Sequence, residues 1–236
     1  MGGSGIRFQA KPRSEPSQIL LHINLCDSTV QLQQQAIGIL GVNLVMRGTF
    51  STPEFLEPNL FQSARRHLHS EGMPFERDPV SLLEMTIHPV VRGVAASAAK
   101  MIESIRQLSP RGPMIASDFP ETYLLSRYLR RYSTEPVRFV MSVATAAKVM
   151  HEVFNQDLPG TLLEGLGRLL ATNVTLYVAP IPWEAFVAAL KDMPDTLAVN
   201  DPGHAMIGLN DVMPSIPGCH LFEYLRASGR IVELGH

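Results

Sequence analysis

A chain of 236 residues, 45% of them hydrophobic, is long enough to bury one sizeable core. Its net charge of −2 excludes the concentrated basic face that bulk electrostatic binding to nucleic acid requires. Two cysteines, Cys26 and Cys219, are too few for a disulfide scaffold and fit a reducing compartment, cytoplasm or organelle interior.

From the first residue onward, Met-Gly-Gly-Ser-Gly lacks the charged and apolar regions of a secretory signal. Ile6 stands where a myristoylation signal wants Ser or Thr. Residues 1–17 read as an extended N-terminal arm, and 18–236 as a single α/β domain. Leu20-Leu21-His22-Ile23-Asn24 predicts a first strand over 18–25, with Asp27-Ser28 as a helix N-cap. Val30, Ile37, Leu40, Leu44 and Val45 then predict a helix from 29 to 46. Gln31, Gln33, Gln34, Gln35 and Asn43 interrupt its apolar character, so it is no membrane span, and no other run approaches the roughly 18 apolar residues a span needs. Gly38 and Gly41 inside this helix fit close packing on a sheet. A phosphate cradle would need them ahead of the helix.

Pro53, Pro58, Pro74 and Pro79 punctuate residues 48–80, leaving room for a short helix at 58–69. Further strands are predicted at 81–87, 113–118, 137–142 and 174–179, each followed by a helical segment: 92–108, 120–132, 143–154 with 161–171, and a short helix from Pro182. Residues 192–218 are irregular and punctuated by prolines. A last helix at 219–228 stops at Gly229, and 231–234 reads as an edge strand. Strand alternating with helix gives an α/β fold: a mainly parallel sheet of about five or six strands with helices on both faces. Ligands in such sheets bind beyond the carboxyl ends of the strands. Any site therefore belongs near Asn24, Glu84, Asp118, Ser142 and Pro180.

A group of short segments, in order, carries a resemblance: Gln34-Gln35-Ala36-Ile37-Gly38-Ile39-Leu40-Gly41-Val42-Asn43-Leu44, Leu83-Glu84-Met85-Thr86, Tyr128-Leu129-Arg130-Arg131-Tyr132, Leu163-Glu164-Gly165-Leu166-Gly167-Arg168-Leu169 and Leu176-Tyr177-Val178. Together they resemble the C-terminal half of an uncharacterised bacterial and plastid-lineage family of soluble proteins. That family is often labelled, wrongly, as TonB-dependent receptors or nicotinate-nucleotide adenylyltransferases. This chain has neither the alternating ten-residue strands of an outer-membrane barrel nor a His-x-Gly-His nucleotidyl-transfer motif. Relative to the family, the interval before Leu-Glu-Met-Thr is shortened, and Ser142 stands where relatives carry glycine. The resemblance therefore implies that any activity built on the missing stretch is lost here.

Glu84 and Asp118, at predicted strand ends, are the candidate catalytic pair, since two carboxylates in one crevice can do acid–base work or hold a cation. Beside this stand structural readings: Asp118-Phe119-Pro120-Glu121 is a capping box, and a buried Glu84 requires a partner. Asn24, Ser117, Ser142 and Thr145 are candidate ligand-binding residues, with Ser142 equally suited to a plain N-cap. Arg127, Arg130 and Arg131 offer a partner-binding helix face. His22, Cys26, Asp27, Cys219 and His220 lack zinc-site spacing, and His67 and His69 diverge on a helix. Pairing Cys26 or Cys219 with His151 or His204 as a nucleophile has no local signature. No metal and no cofactor is expected.

Two functions remain. The favoured expectation is a non-catalytic accessory or scaffold subunit of a larger assembly, with other protein subunits as partners and peripheral contact with a membrane complex open to it. The alternative is an enzyme or binding protein for a small phosphorylated metabolite, using the strand-end crevice.

Overall fold

The computed structural model describes residues 7–8, 20–26, 29–33, 42–48, 58–72, 79–86, 103, 113–117, 119, 121–131, 133–152, 155–171, 173–190, 197–199, 205–214 and 218–235. In chain order the strands are β1 (Arg7–Phe8), β2 (Leu20–Cys26), β3 (Thr29–Gln33), β4 (Val42–Gly48), β5 (Val80–Thr86), β6 (Met114–Ser117), β7 (Val137–Ser142), β8 (Val174–Ala179), β9 (Ile181–Pro182), β10 (Leu197–Val199), β11 (Met206–Ile207), β12 (Val212–Pro214) and β13 (Ile231–Glu233). The helices are α1 (Pro58–Ser70), α2 (Thr122–Leu129), α3 (Val143–Val149), α4 (Thr161–Leu170), α5 (Trp183–Leu190) and α6 (Gly218–Ala227).

Nine strands form one sheet in the order β1-β3-β2-β6-β5-β4-β7-β8-β13. Every pairing from β6 across to β13 is parallel. Numbered by their own succession along the chain, these six strands stand in the order 3-2-1-4-5-6, that of doubly wound sheets. The expected mainly parallel α/β sheet is the architecture found. Strands such as β7 and β8 are buried at every position, as a sheet covered on both faces requires.

Register divides the sheet's side chains between two cores. Val45, Leu82, Ile115, Phe139, Leu176 and Ile231 face one side, packed with Leu125 of α2, Ala146 of α3, Leu166 of α4, Phe186 of α5 and Phe222 of α6. The opposite pleat carries Leu44, Met46, Leu83, Met85, Val140 and Tyr177, all buried, on the side where α1 contributes Ala64 and Leu68.

The N-terminal third departs from the expectation. No helix spans 29–46; Thr29–Gln33 and Val42–Gly48 are strands. Thr29-Val30-Gln31-Leu32-Gln33 alternates with the period of a strand. Gly38 and Gly41 would each cost a helix about 1 kcal/mol. The N-cap expected at Asp27-Ser28 lies outside the described residues; β2 and β3 on either side of it pair antiparallel, with Cys26 opposite Thr29. β2 also runs antiparallel to β6, with Leu20 opposite Ser117. Two residues of the arm, Arg7 and Phe8, pair with Gln31 and Leu32 of β3.

Elsewhere the differences are small. α2 and α3 are shorter than expected, and the segment 192–218 contains β10, β11 and β12. The helix expected at 92–108 lies outside the described residues except Glu103. Among the described residues no helix is long and apolar enough to cross a membrane.

Candidate functional site

At the carboxyl ends of β4, β5 and β6 the sheet buries a polar cluster. Parallel register sets Arg47 opposite Glu84, and Thr86 opposite Ser117. Arg47 and Glu84 share a face, because Val45 and Leu82, two residues earlier in each strand, face the same core. Glu84 is 0% exposed and Arg47 8%. Arg47 Nε lies 3.3 Å from Glu84 Oε2. The other carboxylate oxygen, Oε1, accepts hydrogen bonds from the Ser117 hydroxyl and, at 3.4 Å, from Thr86. Arg47 Nη2 donates to the carbonyl of Phe119, in the turn leading to α2, and approaches the Thr86 hydroxyl at 3.5 Å. Burial pushes the Glu84 carboxyl above its ordinary range, against the opposing pull of Arg47 and of the Ser117 and Thr86 hydroxyls.

Ser142 and Thr145 form a separate group. Ser142 caps α3, its Oγ accepting from the Thr145 N–H at 3.1 Å and lying 3.1 Å from the Thr145 hydroxyl. In β7, Phe139 and Met141 belong to the Glu84 face, so the pleat assigns Ser142 to the opposite one. Glu84 and Ser117 are thus brought together, and Ser142 and Thr145 are kept apart from them. Asp118 lies outside the described residues. The capping position of α2 is Glu121, three residues beyond Asp118, and it makes no side-chain cap hydrogen bond. Asn24 lies on β2, which runs antiparallel to its neighbour β6, so the carboxyl end of its strand lies at the opposite end of the sheet from Glu84 and Ser117.

Of the three arginines on the α2 face, Arg130 turns inward. It donates to the carbonyls of Glu135 at 2.6 Å and Asn173 at 3.3 Å, pinning the entry to β7. Arg127 and Arg131 are exposed. Among the described residues no group of three or more His, Cys, Asp or Glu could hold a metal ion, and Cys219 is a free thiol.

A second polar cluster escaped the sequence reading. At the amino ends of β7 and β8, on the α1 face, Arg138 holds Glu71 through Nε at 3.1 and 3.2 Å and through Nη2 at 2.5 Å. Arg138 also donates to the Asn173 carbonyl at 3.0 Å. The Tyr177 hydroxyl donates to Glu71, and the Tyr177 ring meets His67 edge-on, with centroids 4.9 Å apart. Burial works to raise the Glu71 carboxyl. The Arg138 and Tyr177 hydrogen bonds, with the charges of Arg138 and His67, outweigh it and leave the carboxyl below its ordinary range. Burial, then the bond to Glu71 and its charge, raise the Tyr177 phenol. The signal in the sequence was Arg138 inside an otherwise apolar strand, since a charge in a strand covered on both faces demands a partner.

Compared with protein-family models, curated proteins and solved structures, the chain matches none.

Proposed function

We propose that this protein is a non-catalytic accessory or scaffold subunit of a larger protein assembly in a reducing compartment. The observation that carries the reading is the enclosure of Glu84. At the end of the sheet where a ligand would sit, this carboxylate is fully buried and engaged by Arg47, Ser117 and Thr86. Such a cluster ties three strands and the α2 turn together and offers its carboxylate no water-facing route to a substrate. The test is the native mass of the particle purified from its source, with its co-purifying chains identified. A large complex that retains this chain through high-salt washing is the expected result. A free monomer or small homo-oligomer would overturn the proposal.

One observation favours the alternative, a protein for a small phosphorylated metabolite. The order 3-2-1-4-5-6 creates a switch point between β4 and β7, where sheets of this topology place their ligands. Topology alone does not carry function. The stretch from the last residue of β4 to α1, Gly48-Thr49-Phe50-Ser51-Thr52-Pro53-Glu54-Phe55-Leu56-Glu57, has one glycine and no G-x-G-x-x-G fingerprint. A thermal-shift screen with nucleotides and sugar phosphates addresses this reading. A saturable rise in melting temperature that is lost on substituting Ser142 or Asp118 would favour it over the scaffold.

A further inference from the structure

The outward face of α2 differs in composition from those of α1 and α6. It consists of Tyr123, Leu124, Arg127, Tyr128 and Arg131, the last continuing the face because the helix-ending Arg130 keeps helical dihedrals. Three of the chain's five tyrosines fall within residues 123–132, and α2 contains no acidic residue. Tyr and Arg are enriched at the centres of protein interfaces, where Lys, Glu, Asp and Ser are depleted. By contrast α1 exposes Gln62, His69 and Ser70 beside its arginines, and α6 exposes His220, Glu223 and Ser228. Arg127 and Arg131 are exposed, and among the described residues neither side chain has a hydrogen-bond or ion-pair partner. One cation near a helix C-terminus is favourable. Two on one face repel each other, and no carboxylate of α2 offsets that repulsion. The platform beneath them is fixed. Arg130 is pinned to the carbonyls of Glu135 and Asn173, Tyr128 packs on Phe119 with centroids 5.4 Å apart, and the Arg168 guanidinium of α4 lies 5.7 Å from the centre of the Tyr123 ring.

We infer that this face docks an acidic segment of a partner subunit, one that presents two carboxylates about a helical turn apart to Arg127 and Arg131. The occupant follows from charge. A second copy of the chain would bring the same arginines together across a two-fold, and like charges set face to face suppress such a contact. Polybasic recognition of an anionic membrane takes about four to eight cations; this face offers two, and a net charge of −2 leaves no wider basic field behind them. A guanidinium matches a carboxylate bidentately. Leu124 and the rings of Tyr123 and Tyr128 stand beside the two guanidiniums and would exclude water from those pairs, which keeps them from being screened in a high-salt wash. The inference rests on the scaffold reading and adds to it the surface used and the chemistry of the partner.

The full chain, tagged and purified natively from its source, tests this beside a variant carrying Arg127→Glu and Arg131→Glu. The parent is expected to hold a subunit that the double variant binds roughly tenfold or more weakly. Both positions are exposed, so circular dichroism of the variant should match the parent. A photoreactive residue in place of Leu124 should cross-link to a segment of that subunit rich in Asp and Glu. Changing two of those acidic residues to Arg should restore binding to the double variant. A parent chain with no bound subunit overturns the scaffold reading and this inference together. A particle whose composition the double variant leaves unchanged overturns this inference alone. So does a cross-link to a segment without Asp or Glu, or a charge exchange that restores nothing.

Discussion

Arg47 and Glu84 are two buried charges whose solvation is replaced by each other and by the Ser117 and Thr86 hydroxyls and the Phe119 carbonyl. Removing one partner strands the other. Arg47→Met, which leaves the Glu84 carboxylate buried without its cation, is expected to lower stability by about 3 kcal/mol or more at neutral pH, while adding Glu84→Leu recovers most of that loss. Urea midpoints of the two single variants and the double variant check this. The two carboxylates also titrate in opposite senses. The Glu71 pKa is lowered from 4.5, so its stabilising contribution is present above that value and lost as pH falls below it. The Glu84 pKa is raised from 4.5, so its contribution is complete below that value and lost as pH rises through the folded-state pKa. Stability measured against pH should lose its acid limb in Glu71→Gln and its opposite-signed limb, above 4.5, in Glu84→Gln. A curve unchanged by either substitution would refute the assignment. Glu84 and Ser117 were legible in the sequence because polar residues at the ends of apolar strands are conspicuous. Arg47 was not, because it follows directly on a segment, 29–46, that reads as helix.

The elements themselves were largely legible wherever strands were continuous apolar runs. β8 was expected at 174–179 and is found there, and α1 differs from its expected span by one residue. The failure at 29–46 has a physical origin. Isolated apolar residues among glutamines satisfy a helical spacing and an alternating one nearly equally. The arbiter is tertiary: β4 lies between β5 and β7 at the centre of the sheet, where it gains two ladders of hydrogen bonds. The antiparallel hairpin was equally hidden, since strand direction follows from what a strand pairs with. Within α4 a close approach from Asn155 fixes one glycine, Gly165. Gly165→Ala drives a methyl into Asn155 and should cost about 1–3 kcal/mol, read as a lowered thermal midpoint. Thr161, at the start of the same helix, has a φ of 45°, a region β-branched residues avoid. Thr161→Gly should therefore raise the midpoint even against the added entropy of the unfolded chain.

For the molecule as a whole, the fold class was legible from alternating strand and helix, and the strand order was not. Crossover connections leave no local trace in composition, so 3-2-1-4-5-6 emerges only from the pairings. The two polar clusters sit at opposite ends of the sheet and on opposite faces. One ties β4, β5 and β6 beside α2, and the other ties β7 and β8 to the end of α1. The β2–β3 hairpin adds a consequence in time. It is translated early, yet its seat, β6, emerges roughly a hundred positions later, one of the long sequence separations that slow folding. A growing polypeptide leaving the ribosome must carry that ribbon unseated until Met114–Ser117 appears. Nascent chains halted before β6 should expose residues 20–33 to protease, and chains halted beyond β7 should protect them.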